Sequence, residues 1–244
     1  MSQKVAYVTG GMGGIGTAIC RRLGEGFKVI AGCGPSRDFT KWLDEQKAEG
    51  YEFFASVGNV ADWDSTVAAF EKAIAEHGPI DVLVNNAGIT KDRMFLKMTP
   101  EDWKAVIDTN LNSMFNVTKQ VVPGMVEKGL GPHHPDQLGQ WRKGPGRPDQ
   151  LLRRQGRHAR FHHGLGAGAG TKGVTVNTVS PGYIGTDMVR AIKPEILERS
   201  SPPSRSSASA RPEEIGSVVA WLAGPDSGFT TGADFSCNGG LHMG

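Results

Sequence analysis

Three glycines near the start of the chain could hold an anion. The run Val5-Ala-Tyr-Val-Thr-Gly-Gly-Met-Gly-Gly-Ile-Gly16 passes from an apolar segment into a glycine turn, and Thr17-Ala-Ile-Cys-Arg-Arg-Leu23 continues at once with helical spacing. Strand, tight loop and helix N-terminus is the arrangement that turns backbone N–H groups toward a phosphate. Gly10, Gly14 and Gly16 stand in the order Gly-x3-Gly-x-Gly rather than the commoner Gly-x-Gly-x-x-Gly. With the flanking strand and helix, the loop is read as a dinucleotide site, with Gly10, Gly13, Gly14, Ile15 and Gly16 as its cofactor-binding residues.

A second chemical signal follows the next apolar run, Phe27–Ala31. An acid near the end of this strand would hold the ribose hydroxyls of NAD. Here the chain reads Gly32-Cys-Gly-Pro-Ser-Arg37, with no acid before Asp38. Arg37 could pair instead with a 2′-phosphate, which favours NADPH.

The elements that must position these residues alternate. Tyr51–Val57 reads as a strand ending at Gly58, Asn59 and Val60, Asp64–Glu76 as a helix, and Ile80–Val84 as a strand running into Asn85–Thr90. Thr99-Pro-Glu-Asp102 opens a long helix to about Val126, with the polar Asn110 among apolar neighbours, a position where a hydrogen-bonded core role is the commoner one. Val174–Val179 is a strand, Pro212–Leu222 a helix, and Thr231–Cys237 a last strand. Strands alternating with helices at this pitch predict an α/β fold, a Rossmann-type doubly wound parallel sheet in a single domain spanning 1–244. Ligands of such sheets lie at the strands' carboxyl ends, where the glycine loop, Gly58–Val60 and Asn85–Thr90 all fall.

Bulk properties narrow the function classes. The 244 residues carry a formal net charge of +2, which gives no drive toward nucleic acid or membrane surfaces. Cys20, Cys33 and Cys237 are odd in number and far apart, fitting a reducing cytoplasm better than a disulfide framework. No apolar run has transmembrane length and no signal peptide is recognisable.

The motifs together resemble the short-chain dehydrogenase/reductase family. They are Thr9–Gly16, Asn85-Asn-Ala-Gly88, Asn110, Pro181-Gly-Tyr-Ile184 and Thr231-Gly-Ala-Asp-Phe-Ser-Cys-Asn-Gly-Gly240. Within that family, Asn85–Asp92 and the ending Asn238–Gly244 are similar to the NADPH-dependent reductases of acetoacetyl-CoA in polyhydroxybutyrate synthesis; the 3-oxoacyl-carrier-protein reductases share nearly all the motifs. The resemblance implies that Asn86, Ala87, Gly88, Ile89 and Thr90, with Pro181, Gly182, Tyr183 and Ile184, contact NADPH. It implies that Asp92 and Lys193 contact a 3-ketoacyl thioester such as acetoacetyl-CoA, and that the chain forms a homotetramer. It also implies a proton relay in which a tyrosine donates to the carbonyl, a lysine four residues later lowers that tyrosine's pKa and holds the ribose, and a serine thirteen residues earlier polarises the carbonyl. Asn110 would keep a water on the relay.

The relay is missing where the family has it. Leu138, Leu151 and Gln155 occupy the serine, tyrosine and lysine positions, and the chain's three tyrosines are Tyr7, Tyr51 and Tyr183. Between Gly131 and Gly173 there is no Val, Ile or Met, but there are four prolines and six arginines. Such composition predicts that the fifth strand and the helix after it are disrupted. His158, His162 and His163 lie between glycines with no acid or cysteine to help, so no metal site is read there. The arginines are likewise a weak case for a polyanion site.

A shifted reading frame explains the window better. One base forward from Asp136, the codons compatible with the chain permit Ile-Ser-Ser-Val-Asn-Gly over 136–141. They permit Thr-Asn-Tyr-Ser-Ala-Ala-Lys over 149–156, with tyrosine across Leu151/Leu152 and lysine across Gln155/Gly156, and Thr-Met-Ala-Leu-Ala-Gln-Glu over 162–168. Ser200–Ala210, a Ser/Pro-rich loop as written, shifted back permits Ile-Val-Ala-x-Ile-Pro-Val-x-Arg-Leu-Gly, similar to the family's substrate lid. Segments 131–170 and 200–210 are therefore read as frameshifted. The chain as written is expected to be inactive and to fold less well.

Overall fold

In the computed structural model, residues 3–91, 95–128, 136–141, 173–182, 184–185 and 210–240 are described. Seven parallel strands form one sheet: β1 (Val5–Val8), β2 (Lys28–Cys33), β3 (Phe53–Val57), β4 (Val82–Asn85), β5 (Asp136–Trp141), β6 (Val174–Pro181) and β7 (Asp234–Cys237). Their spatial order is β3-β2-β1-β4-β5-β6-β7. The order reverses between β1 and β4, which places a ligand crevice over the carboxyl ends of those two strands.

Alternation along β1 divides the core. Ala6 and Val8 join Val29, Ala31, Val82 and Val84 on one face, against α1 (Gly14–Leu23), α2 (Phe39–Ala48) and α6 (Pro212–Ala223). Val5 and Tyr7 join Ile30, Leu83, Val174 and Val176 on the other, against α3 (Trp63–His77) and α5 (Ser113–Lys128). Strands buried on both faces explain their near-continuous apolar runs.

The helix ends follow their sequence signals. Asp38 accepts from the Lys41 N–H at 3.2 Å, Asp62 from the Ser65 N–H at 2.8 Å, and Thr99 from the Asp102 N–H at 3.2 Å. Pro100 and Pro212 sit in the first turns of α4 (Pro100–Ile107) and α6, where a missing N–H costs nothing.

Two expectations need correcting. The long helix from Thr99 to Val126 is interrupted: one π-helical turn, Asp108–Asn112, separates α4 from α5. The fifth strand is not disrupted. Asp136–Trp141 pairs with β4 on one side and β6 on the other, Leu138 lying between Leu83 and Val176. Pro132, Pro135, Pro145 and Pro148 all fall outside these six residues. Ladder bonding uses main-chain groups, so polar side chains do not prevent a strand from filling a slot whose two neighbours present unpaired backbone. The helix expected after β5 falls outside the described residues, as do the frameshift segments apart from 136–141 and Ala210.

Candidate functional site: a dinucleotide cleft at the strand ends

The glycine loop is set by contacts that leave no room for side chains. Gly10 has φ +61°, and a Cβ there would lie 3.0 Å from Ala87 Cα. A Cβ on Gly16 would lie 2.1 Å from the Gly10 carbonyl oxygen and 2.8 Å from Gly11 Cα. Gly13 and Gly14 are the exposed members of the loop. Gly13 caps α1 without a side chain. The Thr17 N–H reaches the Gly13 carbonyl at 2.7 Å, but among the described residues no acceptor meets the N–H groups of Gly14, Ile15 and Gly16. Unpartnered donors at a helix N-terminus, with glycine on the approach side, fit the pyrophosphate of a dinucleotide.

The β4 loop is pinned to the same turn. The Thr9 hydroxyl accepts from the Asn86 N–H at 2.9 Å and the Ala87 N–H at 3.0 Å. The Asn86 side-chain amide donates to the carbonyls of Thr9 and Gly10, both at 3.0 Å. The Asn86 side chain thus holds the β4 loop to the glycine turn. Thr9 was part of the recognised motif, yet nothing in its type alone gave it this clamping role.

Asn110 closes the far side. Its Oδ1 accepts from the Ile89 N–H at 2.7 Å, and its Nδ2 donates to the Ile89 carbonyl at 2.8 Å. The π turn places this residue, 5% exposed, opposite the loop. Both arms of the side chain are therefore engaged with the main chain of Ile89, each with one hydrogen bond. We expect Asn110→Leu to leave both Ile89 backbone groups unsatisfied. That should cost about 2–4 kcal/mol of unfolding free energy in urea titrations; a cost under about 0.5 kcal/mol would contradict the clamp.

The other residues expected to contact the cofactor follow the ends of β2, β3 and β6. The Arg37 guanidinium donates to the Met12 carbonyl at 2.8 Å, which lays the cation against the glycine loop. The Gly58 N–H donates to the Cys33 carbonyl at 2.9 Å, and Asn116 of α5 donates to the Val60 carbonyl at 3.0 Å. Asn59 turns its side chain back to the Ala61 N–H at 3.1 Å. At the end of β6 the Gly182 N–H bonds the Cys237 carbonyl at 3.0 Å, and Ile184 is buried and bridges to Ala210. Pro181 is the last residue of β6.

Asp92, Leu151, Gln155, Tyr183 and Lys193 lie outside the described residues; Leu138 is described by its backbone on β5. The two described tyrosines face elsewhere. Tyr7 is 3% exposed and stacked on Phe70 at 4.2 Å, and burial pushes its phenol up to about 12. Tyr51 stacks on Phe53 beneath Arg21. Among the described residues no cluster of three or more His, Cys, Asp or Glu could hold a metal. No helix among them is long and apolar enough to cross a membrane.

Known proteins carry the same architecture. The family model described as short chain dehydrogenase matches residues 4–132. A second, described as Enoyl-(Acyl carrier protein) reductase, matches residues 158–242. The acetoacetyl-CoA reductase of Cupriavidus necator is 56% identical over 247 aligned positions covering all of both chains. A 3-oxoacyl-[acyl-carrier-protein] reductase of Vibrio cholerae is 33% identical, covering 98% of each. Among solved structures, a gluconate 5-dehydrogenase from Burkholderia cenocepacia in complex with NADP and tartrate superposes with a TM-score of 0.86 at 25% identity, covering 99% of this chain and 96% of that one. The chain therefore belongs to the short-chain dehydrogenase/reductase family of nicotinamide-dinucleotide oxidoreductases.

Proposed function

We propose that the chain comes from enzymes that reduce acetoacetyl-CoA to 3-hydroxybutyryl-CoA with NADPH for polyhydroxybutyrate synthesis in the cytoplasm, and that as written it binds the cofactor without turning the substrate over. The 56% identity to the Cupriavidus necator reductase supports the CoA substrate over the carrier-protein one, whose representative is 33% identical. Homotetramer formation belongs to the same reading; the half-exposed Trp63–Phe115 stack and the Trp221–Phe235 pair supply apolar surface for it.

Arg37 carries the cofactor choice. It stands where an NAD-binding fold keeps an acid, and its bond to the Met12 carbonyl holds a permanent cation beside the pyrophosphate cradle. A charge-assisted pair of this kind is worth roughly 1.5–3 kcal/mol, or about 10- to 100-fold in affinity. We expect Arg37→Ala to raise the Kd for NADPH by that factor and to leave the Kd for NADH within about twofold. An equal loss for both cofactors would contradict the NADPH reading.

NADPH, when bound, supplies the hydride; the protein's part is to hold the ketone and give the carbonyl oxygen a proton. The residues at the relay positions cannot do so. Leu151 has no proton to give, Gln155 no charge to lower a phenol pKa, and Leu138 no hydroxyl. Residues 133–157, which hold all three positions, fall between the two family-model matches, which supports an out-of-phase segment there. If the written residues are those of the living protein, the reading that remains is a non-catalytic dinucleotide-binding subunit.

A further inference from the structure

We infer that Trp42 is a positioning residue for the 2′-phosphate end of the cofactor site, acting through Thr17 on the glycine loop. The inference rests on the NADPH reading above and adds the device that aims Arg37.

Two consecutive carbonyls of the loop are tied to groups outside it. The Met12 carbonyl accepts from Arg37. The Gly11 carbonyl accepts from the Thr17 hydroxyl at 3.5 Å, and the Gly11 N–H donates to the Gly32 carbonyl at 3.0 Å. A carbonyl turned toward the cradle would repel a phosphate, so anchoring these two keeps N–H groups as the face that the anion meets. The Thr17 hydroxyl is oriented in turn. Its oxygen accepts from the Trp42 indole N–H at 3.1 Å, which sends its own proton toward Gly11.

Trp42 is 5% exposed and Thr17 is its hydrogen-bond partner, so the bond resists breaking: a buried indole N–H without an acceptor is costly. It also fixes one particular part of the chain. The far half of α2 is held to α1 independently, by Arg21 donating to Gln46 at 2.8 Å and pairing with Glu49 at 2.8 Å. The near half, which follows the Gly34–Arg37 turn, is held to α1 by Trp42. The turn itself closes by the Arg37 N–H bonding the Gly34 carbonyl at 3.0 Å. Arg37 and Trp42 thus grip neighbouring points of one loop from one segment, and loosening the second bond lets the first cation drift from the phosphate it must meet.

The test is isothermal titration of the full-length chain with NADPH and with NADH. Trp42→Phe keeps an aromatic ring facing Phe53, on which Trp42 stacks at 5.6 Å, and removes the N–H together with the five-membered ring that carries it. We expect it to raise the Kd for NADPH about fivefold while NADH changes less than twofold. Thr17→Val should do the same, and Thr17→Ser, which keeps the hydroxyl, should retain the wild-type preference. A merely structural role would lower the melting temperature and weaken both cofactors together; that result, or no change in either Kd, overturns the proposal alone. A wild-type chain that binds both cofactors equally overturns the NADPH reading and this proposal with it.

Discussion

A protein made with the residues as written should oxidise NADPH with acetoacetyl-CoA at least roughly 10²–10⁴-fold more slowly than the same chain with residues 136–168 and 200–210 recoded in the shifted frames. That range, roughly 10²–10⁴, is what one positioned proton donor contributes. The upper figure is not the sum of three losses, because tyrosine, lysine and serine act as one unit and removing any of them removes most of the effect. The comparison is a steady-state assay at saturating NADPH, accompanied by NADPH titration of both proteins. Binding retained with turnover lost is the expected pattern, because the cradle of Gly13, Gly14 and the α1 N-terminus is formed by residues 10–17, far in sequence from the altered window. Comparable turnover in the two proteins would mean that some other group supplies the proton.

Gly16→Ala should abolish cofactor binding at ordinary concentrations. The added carbon meets the Gly10 carbonyl oxygen at 2.1 Å and Gly11 Cα at 2.8 Å, and both neighbours are main chain in the loop itself. They cannot rotate aside as a side chain would. Relief must come from moving α1 or flattening the turn, and either displaces the N–H groups of Gly14 and Ile15. Overpacking against backbone costs roughly 1–3 kcal/mol, and a distorted anion site loses a similar amount again. Together they amount to roughly 2–6 kcal/mol, a Kd for NADPH raised by roughly 30- to 20,000-fold. Gly13→Ala is the internal control: its nearest neighbour, the Gly10 carbonyl oxygen, is 3.5 Å away, so the fold tolerates the methyl and only the approach of the ligand is affected. Equal, small effects of the two substitutions would contradict the packing argument.

Much of this geometry was legible in the residues because it is local. The Val5–Val8 run ending in Thr9-Gly10 specifies strand and turn within a few positions, and Thr99-Pro100 specifies where α4 begins. What was not legible depended on partners distant in sequence. The Trp42–Thr17 bond spans 25 positions, and neither residue type signals the other. The π turn at Asp108–Asn112 escaped because periodicity at 3.6 residues reads straight through a single wider turn, although Asn110, polar among apolar neighbours, marked the place. The strand at Asp136–Trp141 escaped for a different reason. Composition summed over residues 131–173 hid six residues without proline, and sheet pairing needs no more than that between two waiting edges.

Topology explains why these residues come together: ligands of a doubly wound sheet meet strand carboxyl ends, and the contacts among Thr9, Asn86, Ile89, Asn110 and Arg37 occur there. The hydrogen bonds of the Asn86 and Asn110 side chains to main chain were not legible in the residue types. A buried amide is satisfied first by whatever backbone it faces.

The most direct measurement is the nucleotide sequence across codons 130–171, read on both strands. The account predicts that the frame one base forward from codon 136 spells serine across codon 138, tyrosine across codons 151/152 and lysine across codons 155/156, with a compensating change before codon 174. A gene in which that frame encodes neither the tyrosine nor the lysine would contradict it.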